Sequence, residues 1–470
     1  MLRPWLMQLK IDKEGSKAIY VQIADEIISC IKKGVLKAGE TLPGTRQFAT
    51  LLEVNRNTVV QAFDILLAEG WLCSSERKGT SVSAELPSSI PDEKKDHPIR
   101  QAVEIFRNDL IFLDDGLPDT TCAPVNELAR SHRRIFSKKA RWQIMNLASE
   151  YGDSKFREAI SKMLNYNRSM NTSANQICIT RGSQMALFLT AHCLLEQGDI
   201  VLVENPGFKP AWEAFRHAGA TLIPISVDSE GISIELIEEI LKKRAVKAIY
   251  ITPHHQYPTA VTLSLSRRLR LVELSNQYGF TIIEDDYDNE FHFGQRPIMP
   301  VSAYSTNNNY VYIGTLSKLI APAIRVGYIF SSQTFIEKVG TLRKIIDMQG
   351  DSIMEQAILE LIESGDLRRH HKRMINYYIE KRNFFINLLD CYLKDKIEYN
   401  IPEGGLAFWL KPIKDLNLYK VKEMANTKLV SFYTPDRFSF SEPILGMRLG
   451  YASLSKENLE KGIQVLSRYL

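Results

Sequence analysis

Tyr310-Val311-Tyr312-Ile313-Gly314-Thr315-Leu316-Ser317-Lys318, followed after a short loop by Arg325-Val326-Gly327-Tyr328, is the stretch on which the reading of this chain turns. Tyr310 to Ile313 form an apolar run of strand length. Lys318 therefore leaves a strand end beside two hydroxyls, with an arginine a short loop further on. A lysine that reacts through its amine must be partly neutral, and burial or neighbouring cations lower its pKa to permit that. A phosphate dianion wants hydroxyl donors and a bidentate guanidinium, the set offered by Thr315, Ser317 and Arg325. A lone lysine after a strand is usually a surface charge, so the weight falls on the segments around it.

Upstream, Thr281-Ile282-Ile283 reads as an apolar strand leading into Glu284-Asp285-Asp286-Tyr287. A carboxylate at a strand's C-terminal end can keep a pyridine nitrogen protonated, and a phenol two residues on points to the same side, within reach of a ring 3-oxygen. Asp285 and Tyr287 take these roles, against the plainer reading of an acidic loop. Ile177 to Thr180 is a strand that turns through Arg181-Gly182-Ser183-Gln184 into a helical run. Backbone N–H groups at such a helix start bind phosphate, which brings in Ser183 and Gln184. After the strand Ile200 to Val203, Glu204-Asn205-Pro206-Gly207-Phe208 sets Phe208 as a stacking partner for a ring face.

Together these pieces resemble a fold-type I, class I aminotransferase domain. The likeness extends to Tyr151-Gly152-Asp153, Pro258-Thr259, Pro402-Glu403-Gly404-Gly405 and Met447-Arg448-Leu449-Gly450. It implies an α/β domain that carries pyridoxal 5′-phosphate as a Schiff base on Lys318, with Arg448 clamping a substrate or effector carboxylate; a structural ion pair is the alternative for that arginine. Phe208 stands where a tyrosine is frequent. Tyr257 stands where such enzymes place an asparagine, and Ala260 replaces a glycine, which leaves His255 or Gln256 as substitutes at the 3-oxygen.

Outward from this region, 470 residues exceed what one hydrophobic core usually covers, so more than one domain is expected. A net charge of +4 announces no overall field for nucleic acid, so any DNA contact must come from a local patch. The N-terminus has no sustained apolar run of signal-peptide type, and no apolar stretch is long enough for a membrane helix. Six scattered cysteines without a CxxC pair read as reduced thiols in a cytoplasm, with neither disulfides nor a metal site.

The first 83 residues have a different texture. A helix is expected from Ile19 to Lys33, with Ile23, Ile27, Ile28 and Ile31 as its apolar stripe and Gly34 as its stop. Thr45 is expected to cap a short helix carrying Phe48, Leu51 and Leu52, and Asn55 a third carrying Val59, Phe63, Leu66 and Leu67. Trp71-Leu72 and Ser81-Val82-Ser83 then read as two strands joined by the polar tip Glu76 to Thr80. Tandem short helices and a basic-tipped hairpin suggest a winged helix-turn-helix, whose recognition helix presents its first residues to base edges. Those residues are Asn55, Arg56, Asn57 and Thr58, with Arg46 reaching the DNA backbone and Lys78 at the wing tip. Alone, Asn55 would be a plain cap and Arg56 a solvated charge; their order along the module favours DNA.

Residues Ala18 to Ser83 resemble a GntR-family DNA-binding domain through Tyr20-Val21-Gln22-Ile23, Gly39-Glu40-Thr41-Leu42-Pro43-Gly44-Thr45-Arg46, Val54 to Val59 and Gly70-Trp71-Leu72. Ala18 replaces a frequent proline, and Val60 stands where some members have a DNA-contacting arginine. The expected organisation is a winged helix-turn-helix at 17–83, a polar linker at 84–108 and the aminotransferase-like domain at 109–470. That order resembles the MocR subgroup of GntR regulators. The resemblance implies a homodimer, head-to-tail, that binds a double-stranded DNA operator and senses an amino compound, or pyridoxal phosphate itself, through an aldimine at Lys318. The residues for turnover are also present, so an active aminotransferase with an attached DNA-binding domain is the rival reading.

Overall fold

The computed structural model describes residues 9, 11–12, 17–75, 79–84, 86, 109–137, 142, 145–294, 298–305 and 308–470. The chain divides between residues 105 and 106 into two units. Apart from Ala84 and Leu86, the linker expected at 84–108 lies outside the described residues, and so does Lys78.

In the first unit, helix α1 (Ile19–Lys32) buries Ile23, Ala24, Ile27 and Ile31. Helix α2 (Thr45–Leu52) buries Phe48 and Ala49, and α3 (Arg56–Ala68) buries Val59, Ala62, Phe63 and Leu66. The Phe48 and Phe63 rings meet edge to face, 5.4 Å between centroids. The strands β1 (Leu72–Ser75) and β2 (Gly79–Val82) pair antiparallel with Leu72 opposite Val82, closing this core. Two expectations are corrected. Gly44, in extended conformation, precedes α2, so Thr45 is its first helical residue and not its cap. Leu51 is exposed, because the buried stripe of this short helix runs through Phe48 and Ala49. The hairpin strands also reach further toward the tip than their apolar residues indicate, since Ser74, Ser75, Gly79 and Thr80 still pair.

The second unit begins with β3 (Ile111–Leu113), helices α4 (Val125–Ser137) and α5 (Ser154–Arg168), and β4 (Ile177–Thr180). Then come α6 (Gly182–Leu194), β5 (Ile200–Asn205), α7 (Lys209–His217), β6 (Thr221–Asp228), β7 (Gly231–Ile232), β8 (Ala248–Ile251), β9 (Thr281–Asp286), β10 (Tyr310–Thr315) and β11 (Gly327–Ser331). Eight strands form one sheet in the order β4-β11-β10-β9-β8-β5-β6-β7. The run β10-β9-β8-β5-β6 is parallel throughout, while β11 pairs antiparallel to both β10 and β4.

Strands buried on both faces show which face each residue takes by alternation. Val201, Val203, Ala248, Tyr250, Ile283, Val311 and Ile313 join Leu187, Trp212 and Phe215 in one core. Leu202, Ile249, Ile251 and Ile282 face the other way, onto Ile237, Leu271, Leu274 and Phe280. Strand β9 continues through Asp286, so its carboxylates are buried in the sheet instead of forming a loop after Ile283. They are tolerated because each has partners: Glu284 accepts from the N–H groups of Val301 and Ser302, and Asp286 pairs with Arg168. Near the C-terminus, β12 (Ile397–Tyr399), β13 (Ala407–Pro412) and β15 (Met447–Gly450) make a smaller antiparallel sheet, and β14 (Val430–Phe432) pairs parallel with β3. Among the described residues no helix is long and apolar enough to cross a membrane.

Candidate cofactor site

Strands β5, β8, β9 and β10 all end at the same edge of the sheet, where ligands of open α/β sheets bind. A cavity of about 190 Å³ opens there. Its walls include Lys318, Asp285, Tyr287, Ser183, Phe208, Thr315, Ser317 and Arg325, eight side chains singled out from sequence and drawn from four separate segments.

At one end stands Asp285. Its Oδ2 accepts the Tyr250 hydroxyl at 2.9 Å, whereas its buried Oδ1 has no hydrogen-bond partner. A buried carboxylate oxygen left unmatched inside a cavity is a costly arrangement that a ligand donor relieves. Burial is also the main reason its pKa rises to about 7, with Asp286 and Asp288 adding to the rise and the Tyr250 bond opposing it. A protonated pyridine nitrogen supplies both the donor and the positive charge.

Lys318, just past β10, sits 4.5 Å above the Tyr287 ring, and burial lowers its pKa. Some of its amine is thereby neutral and nucleophilic at lower pH than a free lysine. Tyr287 donates its hydroxyl to the His255 carbonyl at 2.8 Å and accepts from Arg448 Nη2 at 3.2 Å.

The opposite end is built around glycine. Gly182, at the start of α6, has φ +77, and a Cβ there would stand 2.8 Å from the Arg325 guanidinium. A side chain there would force the Arg325 guanidinium to shift from its place over that helix N-terminus, and the positive φ itself favours glycine. Arg325 donates to the Arg181 carbonyl at 3.2 Å, and the buried Ser317 hydroxyl has no partner. A helix N-terminus, a guanidinium and a free hydroxyl suit a phosphate. The Thr315 hydroxyl is engaged in shaping the loop, donating to the Val326 carbonyl and accepting from the Ser317 N–H. Gln184 lies outside the cavity, its amide donating to the Pro210 carbonyl. By donor set and by its unmatched oxygens the site fits pyridoxal phosphate.

Arg448 also lies outside the cavity walls and is fully buried. Besides Tyr287, it donates from Nε to the Asp115 carbonyl and from Nη1 to the Pro258 carbonyl, both at 2.7 Å. A ligand carboxylate must displace or share these bonds to use it. Tyr257 packs edge to face on Phe208, 5.1 Å between centroids, and donates its hydroxyl to Asp115 at 2.6 Å. Tyr250, Thr252, Tyr257, Pro322 and the segment Asp115 to Pro118 complete the walls. Of these, Tyr250, Thr252, Pro322 and the Asp115 segment escaped the sequence reading, although two acids and a glycine directly after an apolar run at Ile111 to Leu113 were a signal for a functional strand end.

In the first unit, Asn55 caps α3 through its side chain, which accepts the Asn57 N–H at 2.9 Å. Asn55, Arg56 and Asn57 are exposed, as is Arg46 at the start of α2, while Thr58 is half-buried. Neither helix has an acidic residue in its first turn, so both positive ends stay open to phosphate.

The family described as aminotransferase class I and II matches residues 118–466, most of the chain. The chain belongs to that family. Its members are pyridoxal phosphate enzymes, and the second match, to the gntR family of bacterial regulatory proteins, covers residues 19–82. The probable rhizopine catabolism regulatory protein MocR of Rhizobium meliloti is 27% identical over 97% of this chain and 95% of its own. The HTH-type transcriptional regulator YdfD of Bacillus subtilis is 27% identical over 95% of each. Aromatic-amino-acid aminotransferase 1 of Thermococcus litoralis is 28% identical over 78% of this chain and 90% of its own. Among solved structures, kynurenine aminotransferase of Pyrococcus horikoshii aligns with a TM-score of 0.73 at 28% identity, covering 77% of this chain and 90% of the other. A GntR domain followed by a class I aminotransferase domain is the organisation of the MocR subgroup.

Proposed function

We propose that this aminotransferase-family chain is a cytoplasmic transcriptional regulator that binds a DNA operator through Arg46, Asn55, Arg56, Asn57, Thr58 and Lys78, and reads pyridoxal phosphate or an amino compound through Lys318. The observation that carries this is the cavity in which Lys318, the unmatched Asp285 oxygen and the Gly182–Arg325 cradle meet, in a chain that also holds a GntR domain. When bound, the cofactor supplies an aldehyde carbon for amines and an electron-withdrawing ring.

The protein's part is to hold and to report. Lys318 would provide the covalent anchor, Asp285 would keep the ring nitrogen protonated, and Phe208 would cover a ring face. Ser183, Thr315, Ser317 and Arg325 would hold the phosphate end, Tyr287 would face the 3-oxygen, and Arg448 would recognise the carboxylate of an arriving amino compound. An amino compound that took the place of Lys318 would free the lysine amine, and the two states would differ in their contacts, which is what shifting a conformational equilibrium requires. A homodimer is supported by apolar side chains left exposed on neighbouring segments: Trp142, Met145 and Leu147 on one, Ile345, Ile346 and Met348 on the other, with the Ala148 N–H bonded to Gln349.

The test is to titrate purified protein with pyridoxal phosphate and then candidate amino compounds, following absorbance and binding to the DNA upstream of its own gene. Operator affinity that ignores both ligands would overturn the sensing role. The rival, a working aminotransferase with a DNA-binding passenger, draws on the likeness to the Thermococcus litoralis enzyme. Sustained conversion of an amino acid to its keto acid would favour it.

A further inference from the structure

Behind Lys318 lies a buried pair that the proposed cofactor contacts do not use. Asp288 Oδ1 and His255 Nδ1 are 2.7 Å apart, both residues are about 1% exposed, and neither belongs to the cavity walls. Asp288 Oδ2 and His255 Nε2 have no hydrogen-bond partner. Lys318 Nζ stands 3.9 Å from that free Asp288 oxygen, and among the described residues no other carboxylate lies within ion-pair distance of it. The pair is also sterically enclosed. A Cβ on Gly404 would stand 2.4 Å from His255 Nε2, and one on Gly405 would stand 3.1 Å from Asp288 Oδ2.

A neighbouring cation stabilises a fully buried carboxylate that has one open oxygen. The two carboxylates near Lys318 thus divide the work: Asp285 is tied to Tyr250 and faces the cavity, whereas Asp288 is tied to His255 and faces the amine. Building on the reading of Lys318 as the attachment point, we propose that Asp288 is the counter-ion that parks the free Lys318 ammonium and that His255 positions Asp288 for it. The electrostatics run the same way. Burial works to raise the Asp288 pKa, but His255 and Lys318 hold it below the ordinary aspartate value. For Lys318, burial and Arg448 push the pKa down, while Asp288, Asp115 and Asp114 push it up.

The test measures how fast cofactor-free protein captures pyridoxal phosphate at Lys318 as a function of pH, with borohydride trapping and peptide mass as the readout. Capture forms one C=N bond between Nζ and the aldehyde carbon, releases the aldehyde oxygen as water, and requires the neutral amine. Removing the Asp288 charge favours the neutral amine, so Asp288→Asn should move the midpoint down by about one pH unit, making capture roughly tenfold faster below the original midpoint. His255→Leu should shift it in the same direction, and His255→Gln, which keeps a donor to Asp288, should not. A fall in stability alone would not separate these two His255 variants, and they decide the matter if Asp288→Asn does not fold. Attachment with an unmoved midpoint, or identical behaviour of both His255 variants, would overturn the pairing alone. Absence of attachment at Lys318 in the unaltered chain would overturn the cofactor reading and the pairing with it.

Discussion

Tyr250, on β8, donates its hydroxyl to Asp285 on the neighbouring strand β9, and so leaves one carboxylate oxygen free for the cavity. The bond favours the ionised carboxylate against a burial that raises its pKa to about 7. Tyr250→Phe strands a second buried oxygen and pushes that pKa higher, a loss of about 1–2 kcal/mol for a ligand that needs the charge. The dissociation constant for pyridoxal phosphate, read by equilibrium titration of cofactor-free protein, should rise roughly 5- to 30-fold. An unchanged constant would remove Tyr250 from the site.

Gly182→Ala attacks the other end. The residue has φ +77, and its new Cβ would meet Arg325 at 2.8 Å. Strain in the left-handed region costs about 1 kcal/mol, and displacing Arg325 weakens the phosphate contacts further. Affinity for pyridoxal phosphate should fall by about tenfold or more, while affinity for pyridoxal without its phosphate should fall much less. Equal losses for both ligands would place the phosphate elsewhere.

Lys318→Ala should abolish covalent attachment while leaving operator binding measurable by gel shift or anisotropy, because the residues proposed to meet DNA belong to another unit of the chain. Loss of both properties in a protein that remains folded would defeat the separation of anchor and DNA reader.

What could be read in advance depended on distance along the chain. Lys318, Ser317, Thr315 and Arg325 lie within one strand and loop, and a strand end fixes where such residues project. Phe208 and Ser183 follow strands in the same way. Tyr250 and Asp285 are 35 positions apart, and Asp115 and Tyr257 are 142 apart, so no local pattern links them. The extension of β9 through Asp286 was hidden for the same reason, since the groups that make its charges tolerable, Arg168 and the N–H groups of Val301 and Ser302, come from distant segments. In the small unit the helical periods gave the core, but the cap of α2 and the exposure of Leu51 depend on backbone detail that side-chain spacing does not carry.

Asp285 also makes stability depend on pH. Its folded pKa of about 7 lies above its ordinary value of 3.8, so the folded protein holds more protons across that interval. The contribution is complete below about pH 4 and is lost as pH rises through 7, at up to about 1.4 kcal/mol per unit. Glu204 and Glu284, raised by burial to about 7, act in the same window. Asp285→Asn should therefore flatten, without abolishing, the decline of the melting temperature between about pH 4 and pH 7 in cofactor-free protein. Identical slopes in the variant and the unaltered chain would refute this burial-driven shift.

Arg56 is the first residue of α3, directly after the Asn55 cap, exposed, and free of any acidic neighbour in that turn. A guanidinium there extends beyond a helix start that already attracts phosphate, and it can take the two acceptors of a guanine edge. Arg56→Ala should weaken operator binding by about 1–3 kcal/mol, while binding to unrelated DNA should weaken less. Because the residue lies in a different unit from Lys318, cofactor absorbance should not change. The discriminating measurement is the ratio of operator to non-operator affinity at one fixed salt concentration, since a phosphate contact would lower both affinities together. A ratio that survives the substitution would make Arg56 a backbone contact and move the base reading to Asn55 and Asn57.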